Sequence, residues 1–516
     1  MGSHPANPCS RFQACGAAGK TEYFIGVDIG STNCKVCAYD VRDFSEAACE
    51  RFTTPQVTCG KQTDFLLDDI WHTLKKVLAG MFSRLSGQGR IVHIAIASVG
   101  ESGVLVDDKG EAIGPVIAWF DTRTEEQVRK NKDRISEQEL YGICGLNAHS
   151  NYSAYKILWL KEHAGVDRPC RWVSLAGYIA YKLTGEIHSE PTLASRTMLL
   201  DLRQRQWSET LLDKLNIEKS MLPDLVPSGQ AIGTVRPELK REFQVEYETG
   251  VSIAGHDHMC GAFGIGLTSS DSLLNSTGTT EGLLALSGGG AKVEERHCSH
   301  KLSHGLYVLD AYTTLFGSLP AAGLCFQWLK EMFFANEKSW ERIWHGLGRR
   351  IKNDLLFIPH LRGSGPPLRN VQARGLLYGL EDTTGCYDVA RAVLEGVCFE
   401  LKALRELMHP GSVPAVKVIG SAVHNPLWLQ YKADVLGCSV EAYDVNEAVA
   451  RGAALLAAYK AGYVDEAFIK KLNRKVRVYE PDWKQNGYLQ EKYEQLYVPA
   501  SQLKIELEQR ERRKER

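Results

Sequence analysis

No stretch of this chain is apolar for anything near the ~20 residues of a membrane-spanning helix, so no membrane partner is expected. Charge of one sign is lacking too. With 61 Lys and Arg against 62 Asp and Glu, the basic excess of a general nucleic-acid binder is absent. There is no G-x-x-x-x-G-K-[ST] loop, which removes the P-loop route to phosphate chemistry. No G-x-G-x-x-G follows a strand, which lowers the dinucleotide reading. His256 and His258 flank Asp257 without further ligands at a metal-binding spacing. The first 22 residues lack the apolar stretch of a signal peptide and read as a disordered extension. The 14 cysteines are scattered through apolar segments, so they read as buried free thiols in a reducing, cytoplasmic compartment. Cys34 and Cys37 lie three apart on an expected strand and point to opposite faces, which argues against a metal or redox pair.

What is present is an ordinary globular composition, 44% hydrophobic and 24% charged, over 516 residues. That length exceeds one core and fits two domains or more. Residues 23–40, YFIGVDIGSTNCKVCAYD, run from an apolar strand through Asp28 into a turn of Gly30, Ser31, Thr32 and Asn33, then into a second strand. Gly30 lets the backbone come close, and the hydroxyls add donors, so the turn suits a phosphate. Residues 272–286, SLLNSTGTTEGLLAL, repeat the plan around Ser276, Gly278, Thr279 and Thr280. Two such hairpins predict a duplicated α/β domain that clamps a nucleotide between its copies.

Helices are expected over 64–85, 156–164, 176–183, 317–334, 388–407, 426–436 and 452–459, with Ser208 capping another. Residues 287–300 read as an exposed loop, 415–420 as a strand entering a turn, and 503–516 as a charged helix or frayed tail. Asp257 follows a strand at the edge of a small-residue run. Alone it reads as a helix-capping residue; beside two phosphate hairpins it reads as a general base acting on a substrate hydroxyl. Asp28 reads either as a turn-capping residue or as an acid holding Mg²⁺, directly or through water. Glu101 ends a strand and offers an acceptor for hydroxyls. Trp119, Asp121 and Arg123 read either as surface loop with one core aromatic or as the wall and polar groups of a polyol pocket.

Together these pieces resemble the FGGY family of carbohydrate kinases. The hairpins match its D-x-G-[ST]-[TS] loop (Asp28, Gly30, Ser31, Thr32) and its S-x-G-T-[ST] loop (Ser276, Gly278, Thr279, Thr280), and Gly255 and Asp257 match its G-x-D element. KILWLKEH, GLLYGLEDTTGCYDVARAVLEG and VKVIGSAVHNPLWLQYKADVLG are similar to further family segments. The resemblance implies two duplicated actin/hexokinase/Hsp70-like (ribonuclease H-like) domains, a sugar-binding one over 23–267 and an ATP-binding one over 268–516. It implies ATP and Mg²⁺, with Asp28 as the metal-side acid and Asp257 as the base. The triphosphate is assigned to Gly30, Ser31, Thr32, Asn33, Gly278, Thr279 and Thr280. Adenosine is assigned to Gly420, Ser421, Asn425 and the helix near Gly323. The sugar or polyol is assigned to Glu101, Trp119, Asp121, Asn151 and Asp257, and a homodimer is expected from relatives. The overall pattern is most similar to the xylulose kinases. Where those carry S-G-Q-M-H-G, however, this chain reads SVGESG over 98–103. Glu101 matches the Glu of the glycerol kinases' N-Q-R-E element, with Gly100 in place of the Arg. Two rivals remain at this stage: a catalytically silent sugar-binding regulator on the same fold, and an actin-like or chaperone-type ATPase.

Overall fold

The computed structural model describes residues 21–514 apart from 167, 291–292, 338, 348–353, 410, 412–414 and 473–476. Most of the expected N-terminal extension lies outside these residues, but Thr21 and Glu22 already belong to the first strand.

The first half is built on β1 (Thr21–Ile29), β2 (Asn33–Asp40), β3 (Glu46–Thr53), helix α1 (Leu67–Leu85) and β4 (Gly89–Ser98). Helices α2 (Ser153–His163), α3 (Leu175–Thr184) and α4 (Pro191–Ser195) follow, then β5 (Ala231–Thr234), β6 (Gly250–His256) and helix α5 (Asp257–Gly264). The sheet runs β5-β6-β4-β1-β2-β3, with β6, β4 and β1 parallel and the rest antiparallel. The three parallel strands are almost continuously buried, as strands covered on both faces must be.

The second half repeats the plan. It comprises β7 (Ser272–Thr277), β8 (Glu281–Gly288), β9 (Ser303–Leu306), β10 (Tyr312–Leu319), α6 (Gly323–Phe333), α7 (Cys386–Met408) and β11 (Ala415–Gly420). Helix α8 (Pro426–Leu436), β12 (Ser439–Ala442), α9 (Ala448–Lys460), β13 (Arg477–Tyr479) and helix α10 (Val498–Lys514) also belong to it, with shorter elements between them. Its sheet runs β9-β10-β8-β7-β11-β12-β13. Strands β7, β11 and β12 are parallel, as β1, β4 and β6 are, and each set carries an antiparallel edge strand, β13 or β5.

Each half has its own core, and a third apolar cluster joins them, drawing on Phe24, Ala254 and Phe263 from one side and Leu274, Ala453 and Leu456 from the other. The join is close because it is glycine-lined. A Cβ at Gly452 would stand 1.8 Å from the Cys260 carbonyl oxygen, and one at Gly264 would stand 2.3 Å from that of Ala448. Helices α5 and α9, the equivalent elements of the two halves, therefore meet backbone to backbone. The small-residue run at 452–459 is what allows this.

Three expectations change. Residues 317–334 are not one helix: β10 runs to Leu319, Pro320 interrupts, and α6 begins at Gly323. The loop over 287–300 holds the last residues of β8 and a short helix, Glu295–Ser299. Cys37 and Cys49 face each other in the β2–β3 register and are disulfide-bonded, so the expectation of free thiols fails for this pair. Cys34 stays free and buried. Among the described residues no helix is long and apolar enough to cross a membrane.

Candidate active site

The registers of the first sheet set out the acids. Asp28 of β1 lies opposite Ala97 of β4, and Ser98 of β4 lies opposite His256 of β6. The C-terminal ends of three neighbouring parallel strands thus deliver Asp28, Glu101 and Asp257 to one edge, where ligands bind in open α/β sheets. The second sheet does the same with β7 and β11, placing Thr277 opposite Gly420. Between the two edges lies a cleft of about 640 Å³ lined from both halves.

Asp257 is the first residue of α5, at the positive end of the helix dipole. Its Oδ1 accepts from the His258 amide at 2.6 Å and lies 3.2 Å from Nε2 of His256. Burial pushes its carboxyl above the ordinary range, with His258 opposing. The strand can turn in front of it because Gly255 takes φ 134°, and a Cβ there would meet Oγ1 of Thr192 at 2.5 Å. Asp28 is buried, and its carboxyl is pushed up to about 7, mainly by burial and against the pull of Lys35, with the Asp257 charge adding to the rise. Lys35, opposite it on β2, holds Oδ2 at 3.3 Å and reaches Glu447 of the second half at 2.9 Å. Oδ1 of Asp28 is buried without a partner among the described residues.

Glu101 sits at φ 59° in the turn after β4. Its carbonyl accepts from Oγ of Ser153 at 3.1 Å and Nζ of Lys156 at 3.2 Å. Lys156 is fully buried, is pushed down to about 7 by that burial, and also reaches the Ala118 carbonyl at 3.0 Å. One α2 lysine therefore fixes the loops of both Glu101 and Trp119. Trp119 is 38% exposed and donates from Nε1 to Oγ of Ser31 at 2.7 Å, tying the acceptor wall to the first phosphate turn. Asn151 lines the cleft, with Oδ1 2.8 Å from Nδ1 of His149.

Asp121 does not line the cleft. Its side chain is wholly buried, paired with Arg123 at 2.7 Å and accepting from the Thr63 amide at 2.7 Å. These contacts consume it in holding the loop beneath Trp119.

In the second hairpin Ser276, Gly278 and Thr280 line the cleft. Gly323 does not: its amide is spent on the Gly278 carbonyl at 3.1 Å, and a Cβ on it would stand 2.3 Å from that oxygen. The Ala322 and Leu324 amides bind the Thr279 carbonyl, so the start of α6 braces the turn from behind. Gly420 takes φ 87°, and a Cβ on it would stand 2.0 Å from the Thr277 carbonyl oxygen; Ser421 is exposed beside it, and buried Asn425 caps α8 through the Trp428 amide at 3.1 Å.

Several lining residues were not anticipated from the sequence: Tyr152, Thr192, Arg196 and His256 from the first half, and His304, Thr314 and Phe316 from the second. Arg196 donates to Oε1 of Glu101 from Nε at 2.8 Å and Nη2 at 2.6 Å. The only signal for it in sequence is an arginine inside the otherwise small, uncharged run Thr192–Thr197.

Two copies of one α/β plan, closing on a cleft with acids and one hydroxyl turn on one lip and a second hydroxyl turn on the other, define a phosphotransferase that works between a nucleotide and a hydroxyl. The family comparison makes this specific. The N-terminal domain of the FGGY family of carbohydrate kinases matches residues 23–264 and its C-terminal domain residues 273–461, and the chain belongs to that family. It is 26% identical to the xylulose kinase of Staphylococcus xylosus over 452 residues, covering 84% of this chain and 90% of that one. It is 29% identical to the glycerol kinase of Halorhodospira halophila over 472 residues, covering 89% and 92%. Its fold is shared with the gluconate kinase from Lactobacillus acidophilus, with TM-score 0.85, 22% identity, and 94% and 99% of the two chains covered. The protein is an ATP-dependent carbohydrate kinase acting on a hydroxyl of a small sugar, ketose or polyol.

Proposed function

We propose that the acceptor is a ketose or polyol bound against Glu101, Trp119 and Asn151, with its reactive hydroxyl at Asp257. The halves then act as the sugar domain (23–267) and the ATP domain (268–516). Asp257 takes the proton of the attacking hydroxyl as the γ-phosphoryl is transferred. Burial supports this role, because a carboxyl raised above its usual value is a better matched base near neutral pH than an ordinary aspartate. The triphosphate spans the cleft from Gly30, Ser31, Thr32 and Asn33 to Gly278, Thr279 and Thr280, and adenosine lies beyond the second turn, against Gly420, Ser421 and the cap of α8 at Asn425. Backbone amides of both turns offset charge on the transferring group.

Magnesium fits this site. The unpartnered, buried Oδ1 of Asp28 is the donor such an ion takes, directly or through water. Bound with ATP, the ion offsets phosphate charge. The protein's own part is to hold the acids on three rigid strand ends and to exclude water when the halves close. A cytoplasmic location and a homodimer belong to the same reading; fractionation and sedimentation velocity check them.

The observation that carries the proposal is that Glu101 and Asp257 line the cleft facing a hydroxyl hairpin, with Asp28 at the neighbouring strand end. The experiment is ADP release with Mg·ATP over pentuloses, hexuloses, pentitols, erythritol, glycerol and gluconate. A strong responder among the ketoses and polyols that Asp257→Asn abolishes upholds it; ordinary turnover by a folded Asp257→Asn protein removes the base.

A further inference from the structure

We infer that Arg196 is a specificity-determining residue of the acceptor pocket, forming with Glu101 a receptor for two adjacent hydroxyls of the substrate. The inference deepens the reading above and rests on it, since it takes the acceptor to bind between Glu101 and Asp257.

The starting point is an absence. Gly100 brings no side chain to the turn after β4, although that turn faces the cleft. The space is filled from elsewhere in the chain. A Cβ at position 100 would stand 2.9 Å from Cδ2 and Nε2 of His256 and 3.2 Å from Cγ of Arg196. Both side chains line the cleft. The charge beside Glu101 is therefore supplied by the residue that follows α4, some 95 positions along the chain.

Its placement is firm. Helix α4 is capped by buried Glu190, which accepts from the Thr192 amide at 2.9 Å and the Leu193 amide at 3.0 Å. The guanidinium lies over the Tyr152 ring, 5.3 Å from its centroid. Two of its five N–H groups go to Oε1 of Glu101, and the Tyr152 hydroxyl can take one more. Two donors remain. Oε2 of Glu101 accepts from none of the described residues. A pair serving only to neutralise a buried carboxylate would close on itself through both oxygens and both nitrogens. This one is joined at a single oxygen and keeps donor and acceptor capacity in the wall of the cleft.

A lone hydroxyl can satisfy one side of such a fork. A vicinal diol satisfies both, one oxygen accepting from Arg196 and its neighbour donating to Oε2 of Glu101. A site built to bond a hydroxyl rejects the analogue that lacks it, because its own buried polar groups are then left unpaired.

The test compares the best acceptor from a panel of D-xylulose, D-ribulose, erythritol and glycerol with its mono-deoxy counterpart, in wild type, Arg196→Met and Arg196→Lys. For D-xylulose the counterparts are the 3-deoxy and 4-deoxy pentuloses, which break its O3–O4 diol, and for glycerol it is 1,3-propanediol. Loss of a charge-assisted bond should raise the acceptor KM of Arg196→Met roughly 10- to 100-fold with the ATP KM nearly unchanged. The wild-type preference for the parent over one of its deoxy analogues should fall by about tenfold or more. Arg196→Lys, which keeps the charge and loses the fork, should fall between; it carries the test if the methionine variant does not fold. Equal losses on parent and deoxy substrates, or an unchanged acceptor KM in folded variants, would overturn the role of Arg196 while leaving the kinase reading intact. Wild-type silence on the whole panel would overturn the acceptor reading and the diol receptor with it.

Discussion

In the first hairpin a carboxylate, Asp28, stands two residues before the turn glycine Gly30; in the second, the hydroxyl of Ser276 stands two residues before Gly278. Across the ladder, Asp28 faces Lys35 and Ser276 faces Gly282, which has no side chain. Asp28 keeps one buried oxygen unpartnered. In the second hairpin Thr277 has spent its hydroxyl, donating to the Ile419 carbonyl at 2.7 Å and accepting from the Ala422 amide at 2.9 Å. The second half also holds charge at its hairpin: Glu281, directly after Thr280, borders the cleft and likewise keeps Oε2 without a partner among the described residues, but it is paired with Lys432, which also donates to Asn275 at 2.7 Å, and both ionic side chains are fully buried. The same backbone plan has thus been divided into a lip that adds Glu101 and Asp257 to the cleft wall beside an acid whose lysine is partly exposed, and a lip whose one acid is neutralised by a wholly buried lysine.

The division yields an ordered set of tests. The largest effect belongs to the acid lip. Asp257→Asn should lower kcat about 10²- to 10⁴-fold in a protein that unfolds normally, whereas Thr280→Ala on the opposite lip should cost far less in kcat and show mainly in the ATP KM. Comparable kcat losses in both would erase the distinction. The next effect is on stability. Lys432→Met leaves Glu281 buried and unpaired and should destabilise the fold by about 3–5 kcal/mol in urea unfolding, whereas the double change with Glu281→Leu should recover most of it. A double variant as unstable as the single would mean that the pair does more than seal the hairpin.

Acid should strain both halves. His93 in the first sheet is bonded to Oγ of Ser252 at 2.9 Å, and His304 in the second sits 3.1 Å from Nδ1 of His297. Burial pushes both down to about 4, and His297 adds to the effect at His304. Between about pH 6.5 and 4 the unfolded chain binds protons that the folded chain refuses. Stability therefore falls as pH drops through that window, by roughly 3 kcal/mol for each histidine, and the loss levels off below it. His93→Gln should flatten the slope in chemical denaturation between pH 4 and 7. An unchanged slope would mean that the first half does not share the burden.

Much of this was legible in the chain. The two hairpins stood out because apolar runs bracket small hydroxyl turns, and that pattern depends on local backbone alone. Helix α8 spans the expected 426–436, with Asn425 and Pro426 opening it and Gly437 closing it. What failed depended on contacts far apart in sequence. Asp121 reads as a polyol ligand until the Thr63 amide and Arg123 are seen to consume it. Cys37 and Cys49 meet only through the β2–β3 register. Arg196 reaches Glu101 only after α4 folds back over the strand ends. The misplaced helix over 317–334 is different, since Pro320 was there to be read as its break.

The smallest effect tests whether the acid lip works as one unit with its phosphate turn. The Trp119 indole donates to Oγ of Ser31, so the wall of the acceptor pocket and the first turn share a hydrogen bond. Trp119→Phe keeps an aromatic wall and removes only that donor. The bond is partly exposed and neutral, so about 1 kcal/mol is at stake, a severalfold change in rate or affinity. If the bond couples acceptor site to phosphate site, the KM values for ATP and acceptor should rise together, and saturation with one substrate should diminish the penalty on the other. If only the acceptor KM moves, the indole is a wall and nothing more. The matching change on the opposite lip, Phe316→Leu, removes an aromatic that lines the cleft without a bond to either phosphate turn; it should alter acceptor affinity alone. A coupled effect there as well would place the linkage in closure of the whole cleft rather than in the contact between Trp119 and Ser31.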